Sequence, residues 1–190
     1  MKTLSLALLT ALVGTLLAPV VVRGQEATKV EMANGNLVLT APATWKKIDP
    51  KSSIVQYEFT APADAKQDAP TARITIMGAG GSIEANIERW YGQFEQPDGK
   101  STKEKSKSEK FDVAGQTVHW VDIPGNFKET MGGGPFSGGK TVVRENYRML
   151  GAIIVTQDQG QYFIKMTGPA DVVDKLSEGF RKSLKQLEVK

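Results

Sequence analysis

The sequence predicts an α+β domain in which an antiparallel β-meander is sandwiched between helices, an α/β/α sandwich. Three observations lead there. Short segments of alternating apolar residues recur between turn residues, and two amphipathic helical segments interrupt and close the series. The longest strand-like segments are apolar on both faces, which requires cover on both sides of a sheet. The expected order is β-β-β-α-β-β-β-β-α.

Each element follows from local pattern. Leu37-Val-Leu39 starts the first strand. In Ile54–Phe59, Val55, Tyr57 and Phe59 share one face, with Gln56 and Glu58 on the other. Ala72–Met77 is next, with Ile74 and Ile76 pointing one way. Gly80-Gly81-Ser82 then stops the strand. Ser82 suits an N-cap and Glu84 the first turn, and Ile83, Ile87, Trp90, Tyr91 and Phe94 recur at helical spacing. Pro97-Asp-Gly99 ends that helix.

After a Lys-rich loop over Lys100–Lys110, Phe111 and Val113 pair across Ala114-Gly115 with Thr117–Ile123. There Val118 and Trp120 oppose His119, Val121 and Ile123. In Tyr147–Val155, Met149, Ile153 and Val155 oppose Leu150, Ala152 and Ile154. Tyr162–Met166 is the return strand. A final helix starts near Thr167-Gly168-Pro169 and carries the stripe Val173, Leu176, Phe180, Leu184 and Leu187.

The amino terminus speaks to compartment. Lys2 precedes an apolar run from Leu4 to Leu17, Pro19 breaks the run just beyond, and Val22-Arg23-Gly24 offers a cleavage site. The reading is a signal peptide, 1–24, removed to leave Gln25 first. The rival is a retained anchor, because Leu4–Val22 approaches the ~18 apolar residues that span a bilayer. Pro19 and the sparse flanking charge favour cleavage. Residues 25–35 read as a flexible lead-in and 36–190 as one domain. Export places the protein in the periplasm or outside the cell.

Composition removes several function classes. The chain has no cysteine, so disulfides, thiol nucleophiles, cysteine-ligated metals and a lipid-modified cysteine are all excluded. Losing Lys2 and Arg23 with the leader takes the formal charge from +3 to +1. So small an excess argues against nucleic acid, whose binding rests on many phosphate neutralisations. No cofactor or metal is expected.

Gly134–Thr141 (GPFSGGKT) fits the phosphate-binding pattern G-x-x-x-x-G-K-[ST]. The context does not. A P-loop joins a buried strand to a helix whose N-terminus holds the phosphates. Here polar Asn126–Met131 lies upstream, and Thr141–Tyr147 reads as the start of a strand. Pro135 also removes one cradle N–H. No nucleotide is expected.

His119, the single histidine, lacks a local partner, since Asp122 falls on the opposite face of its strand. It reads as a half-buried structural residue. Two segments remain as binding candidates. Gly125–Lys140 exceeds the ~12–15 residues usual for loops in a compact domain, and its Phe127, Met131 and Phe136 set apolar groups among glycines. The Lys-rich loop, with Lys103, Lys105 and Lys107, could meet an acidic surface. A solvated loop is the simpler reading of those lysines.

A strand followed by Pro42-Ala-Thr-Trp45, a mid-chain helix after Gly-Gly-Ser, a long meander, and a last strand running into Thr167-Gly-Pro169 and a helix resemble the PsbP/Mog1-like α/β/α sandwich group. That group holds photosystem accessory subunits, a nuclear transport factor and exported bacterial proteins, the last branch being most similar. The resemblance implies a fold used for binding or accessory work, and no functional residue of the group maps onto this chain. The expectation is an exported, non-enzymatic binding or accessory protein of the cell envelope, engaging an envelope protein or small ligand. The alternatives are an envelope hydrolase with carboxylates assembled in the fold, and a membrane-surface protein using the Lys-rich loop or a retained leader.

Overall fold

The computed structural model describes residues 27–131 and 139–190; the expected leader lies outside them. In chain order, β1 (Thr28–Met32), β2 (Leu37–Ala41), β3 (Lys46–Ile48), β4 (Tyr57–Ala61) and β5 (Ala72–Ala79) precede helix α1 (Ile83–Tyr91). Then come β6 (Phe94–Glu95), the short α2 (Thr102–Lys105), β7 (Lys107–Val113), β8 (Gln116–Met131) and β9 (Lys140–Val155). β10 (Gln161–Pro169), α3 (Ala170–Lys185) and β11 (Glu188–Val189) complete the chain. It is an α+β fold dominated by antiparallel sheet.

The large sheet runs β3-β4-β5-β10-β9-β8, and β7 and β6 share the outer edge of β8. A small sheet, β1-β2-β11, stands apart from it. The alternation predicted for β8 and β9 is realised. Val118, Trp120, Leu150, Ala152 and Ile154 join the core under α3, while Val121, Ile123, Met149 and Ile153 join a second core under α1. The α3 side is sealed by Phe180, whose ring stands 5.5 Å from Trp45 and 5.3 Å from Trp120. The small sheet shares this layer through buried Val30, Leu37 and Leu39. Among the described residues the other side has only the nine-residue α1 and the segment after it. Among the described residues no helix is long and apolar enough to cross a membrane.

Several segments differ from expectation. Helix α1 ends at Tyr91, short of Pro97, and Phe94, expected on its apolar stripe, lies in β6 paired with Phe127. Residues 28–35, expected within a flexible lead-in, form β1 and a turn. Val30 and Met32 are buried while Lys29 and Glu31 are not, a period-2 pattern too short to register without β2 beside it. The Lys-rich loop is α2 followed by the first half of β7, which is held in extended form by pairing Lys107–Lys110 with His119–Asp122. The long loop after Gly125 shrinks, because β8 continues to Met131 and β9 begins at Lys140. Just past Ile123, where the expected strand ended, β8 carries a β-bulge, with the register shifting between Gly125 and Phe127. Gly125 has φ +137°, and a Cβ there would lie 2.6 Å from Gln96 Nε2.

Candidate functional site

The side of the sheet under α1 is covered only in part. Ser82 caps α1 by accepting from the Ala85 N–H at 3.2 Å. Trp90, in the last turn of the helix, lies over Gly151, where a Cβ would approach Trp90 Cζ3 to 2.6 Å. Its ring meets Phe163 edge-on with centroids 5.1 Å apart. Close helix–sheet approach therefore depends on Gly151 having no side chain.

Beyond Trp90 this face turns polar. Register sets Glu58, Thr75, Lys165 and Gly151 in one cross-strand row, and Thr60, Arg73, Thr167 and Met149 in the next. Residues directly opposite one another on paired strands share a face. The result is a recess of about 370 Å³ floored by Arg73, Thr75, Lys165 and Thr167 and edged by Lys51. Phe127 and Tyr147 wall it with nearly parallel rings 6.2 Å apart. Arg144 and Glu129 close the remaining side, paired at 2.9 Å.

Charge is distributed unevenly in this recess. Glu58, wholly buried, accepts from Arg73 Nε at 2.7 Å, Arg73 Nη2 at 3.0 Å and the Lys51 N–H at 2.9 Å. Burial pushes its carboxyl up, but those hydrogen bonds outweigh it and hold Glu58 below the usual carboxylate range. Among the described residues Lys165 has no such partner. Its Nζ donates to the neutral Gln93 Oε1 at 3.1 Å and stands 5.5 Å from the centroid of Trp90. Burial, with the like charges of Arg73 and Arg89 adding to it, lowers its ammonium to about 8. Chemically the recess can hold an anionic group. Its two carboxylates among the described residues are each tied to an arginine.

The residues singled out from sequence are dispersed. Phe127 sits at the recess wall, between Phe94 at 5.2 Å and Tyr147. Met131 ends β8, and Phe136 lies outside the described residues. Lys103 pairs with Glu88 at 2.6 Å and Lys105 with Asp98 at 2.8 Å, so both contact their own surface. Lys107 is exposed on β7. Of the P-loop-like stretch, Gly134–Gly138 lie outside the described residues and Thr141 lies in β9, a strand. His119 is half-buried, and burial together with nearby Lys110 lowers its imidazole.

Arg73, Thr75, Lys165 and Thr167 were passed over in the sequence. A signal existed: these are the polar positions on one face of strands whose other face is wholly apolar, in a sheet expected to be covered on both sides. An Arg-x-Thr in one strand and a Lys-x-Thr in another mark a patch that cover should have excluded.

No family model matches the sequence, and no curated protein matches it either. A solved structure does. The solution structure of cyanobacterial PsbP (CyanoP) from Synechocystis sp. PCC 6803 aligns over 93% of this chain and 100% of that one, with a TM-score of 0.50 and 13% identity. At that identity the likeness concerns the fold and no residue's role. The chain has a PsbP-like fold.

Proposed function

We propose that this is an exported, non-enzymatic accessory protein of the cell envelope, which engages a partner through the arm made by the far ends of β8 and β9. One observation carries the reading. β10 leaves β9 at Tyr147, yet β8 and β9 remain paired from Phe127–Arg144 to Met131–Lys140. A two-stranded ribbon alone is marginally stable in water. This one is anchored at its base by Phe127 between Phe94 and Tyr147, and by the Lys128 N–H donating to Gln93 O at 2.8 Å. Val143, on the arm, is 46% exposed. Export is supported by the apolar leader. The PsbP-like fold supports accessory work by analogy.

The test shortens the arm at a register pair. Glu129 opposes Val142, so replacing residues 130–141 by Asn-Gly closes the ribbon with a two-residue hairpin turn. Both proteins serve as baits in envelope extract after their melting curves are compared. A partner held by the intact protein and lost by the folded, shortened one supports the reading. A partner held equally by both, or none held by either, counts against it. Amino-terminal sequencing of the exported protein checks the leader, with Gln25 expected first.

A further inference from the structure

We propose that the recess beside α1 is a binding site for a small organic anion, its carboxylate or phosphate group held by Lys165 and Arg73 and its flat apolar body laid along Phe127 and Tyr147. The inference does not rest on the arm having a protein partner.

The charges in the recess do not balance. Lys51, Arg73, Arg144 and Lys165 supply four cations, and Glu58 and Glu129 are the only carboxylates found there among the described residues. Both are engaged, Glu58 with Arg73 and Glu129 with Arg144. Lys165 therefore stands partly buried in the middle of a sheet face with a neutral amide and an aromatic ring for company. Buried cations are ordinarily paired, because desolvation is otherwise uncompensated. The floor beside Lys165 offers no acid. Its opposite neighbours are Thr75 and Gly151, and Thr167 lies two residues along the same strand.

Those neighbours suit an oxyanion. Thr75 and Thr167 carry hydroxyls able to donate. Arg73 gives Nε and Nη2 to Glu58 and is half exposed, which leaves Nη1 to reach outward. Glu58 thus orients the guanidinium, with no carboxylate of its own exposed to repel a ligand. A volume of about 370 Å³ lies within the range of small-molecule sites and far exceeds the need of a bare ion. The paired rings of Phe127 and Tyr147 give that extra space an apolar wall. Anionic group and flat body are both called for.

Calorimetric titration of the intact protein with phenyl phosphate, benzoate and inorganic phosphate at pH 7 and low salt tests this. Binding of phenyl phosphate or benzoate with Kd at or below about 1 mM is expected, and which of the two binds identifies the acidic group. Lys165→Met, verified as folded by its melting curve, should weaken that binding at least tenfold. As a second readout, NMR titration of the Lys165 ammonium should show its midpoint rising from about 8 in the presence of the bound probe. If inorganic phosphate binds as tightly as phenyl phosphate, the organic body is refuted. If no probe binds below about 10 mM, or Lys165→Met binds as well as the native protein, the site is refuted.

Discussion

Replacing Lys165 by methionine isolates the cost of holding a cation at that point of the sheet. The ammonium titrates at about 8 in the folded protein against 10.5 ordinarily, lowered by burial and then by Arg73 and Arg89. At about 1.36 kcal/mol per pH unit, that interval corresponds to roughly 3 kcal/mol. The sign follows from proton counts. Between about pH 8 and 10.5 the unfolded chain holds more protons on this lysine than the folded one does, so stability rises with pH there. Below pH 8 the folded state bears the whole cost. Lys165→Met removes the charge at similar volume but forfeits the hydrogen bond to Gln93 and the contact with Trp90. Those losses offset about 1–2 kcal/mol. The variant should therefore be more stable than the native protein at pH 7 by about 1–2 kcal/mol. The native protein should close the gap by pH 10 and then overtake. Urea denaturation at fixed low salt, at intervals from pH 7 to 10.5, measures both curves, and unchanged m-values confirm that midpoints report stability. The difference between the two curves isolates the contribution of residue 165. Parallel curves, or a variant less stable at pH 7, would refute the reasoning.

Three further outcomes follow from the geometry. Gly151→Ala places a Cβ within 2.6 Å of Trp90 and should cost about 1–3 kcal/mol by overpacking, with the near-ultraviolet circular dichroism of Trp90 altered; unchanged stability and signal would show that α1 shifts freely. Glu58→Gln removes the charged partner of Arg73 and should cost about 2 kcal/mol at pH 7. Because Glu58 titrates below its ordinary value when folded, its contribution is present above the unfolded value and is lost as pH falls through the folded one, so variant and native stabilities should converge in acid. Phe127→Ala should cost about 2 kcal/mol, less than a fully buried ring, and should speed hydrogen exchange of the Lys128 amide, which Gln93 O otherwise holds; unaltered exchange would show that the arm does not depend on its aromatic base.

Much of the scaffold was legible because its causes are local. The alternation in Val118–Ile123 and Met149–Val155 predicted two cores, and the two cores contain those residues on the predicted sides. Ser82 capped α1, and the stripe from Val173 to Leu184 packed under α3. Where the reading failed, the cause was distant. Polar Lys128–Thr130 has no strand signal of its own and is extended because Thr141–Val143 of β9, already read as the start of a strand, satisfies its backbone groups. Lys103 and Lys105 looked like a free basic surface until the fold brought Glu88 and Asp98 to them.

What the sequence determined by itself is the set of elements whose side chains repeat in step with the backbone: the period-2 strands, the two amphipathic helices and the turns between them. Burying an apolar face is sufficient reason for each to form, wherever in the fold that face is finally placed. The recess is a different matter. Arg73, Lys165 and Phe127 belong to three separate strands. Only the antiparallel register sets Arg73 opposite Thr167, and Thr75 and Gly151 on either side of Lys165. Among the described residues, the shortness of α1 leaves them uncovered. Register is a property of pairs of strands, and charge balance a property of all groups in reach, so tertiary structure alone decided that a lysine would stand there with no acid among the described residues beside it.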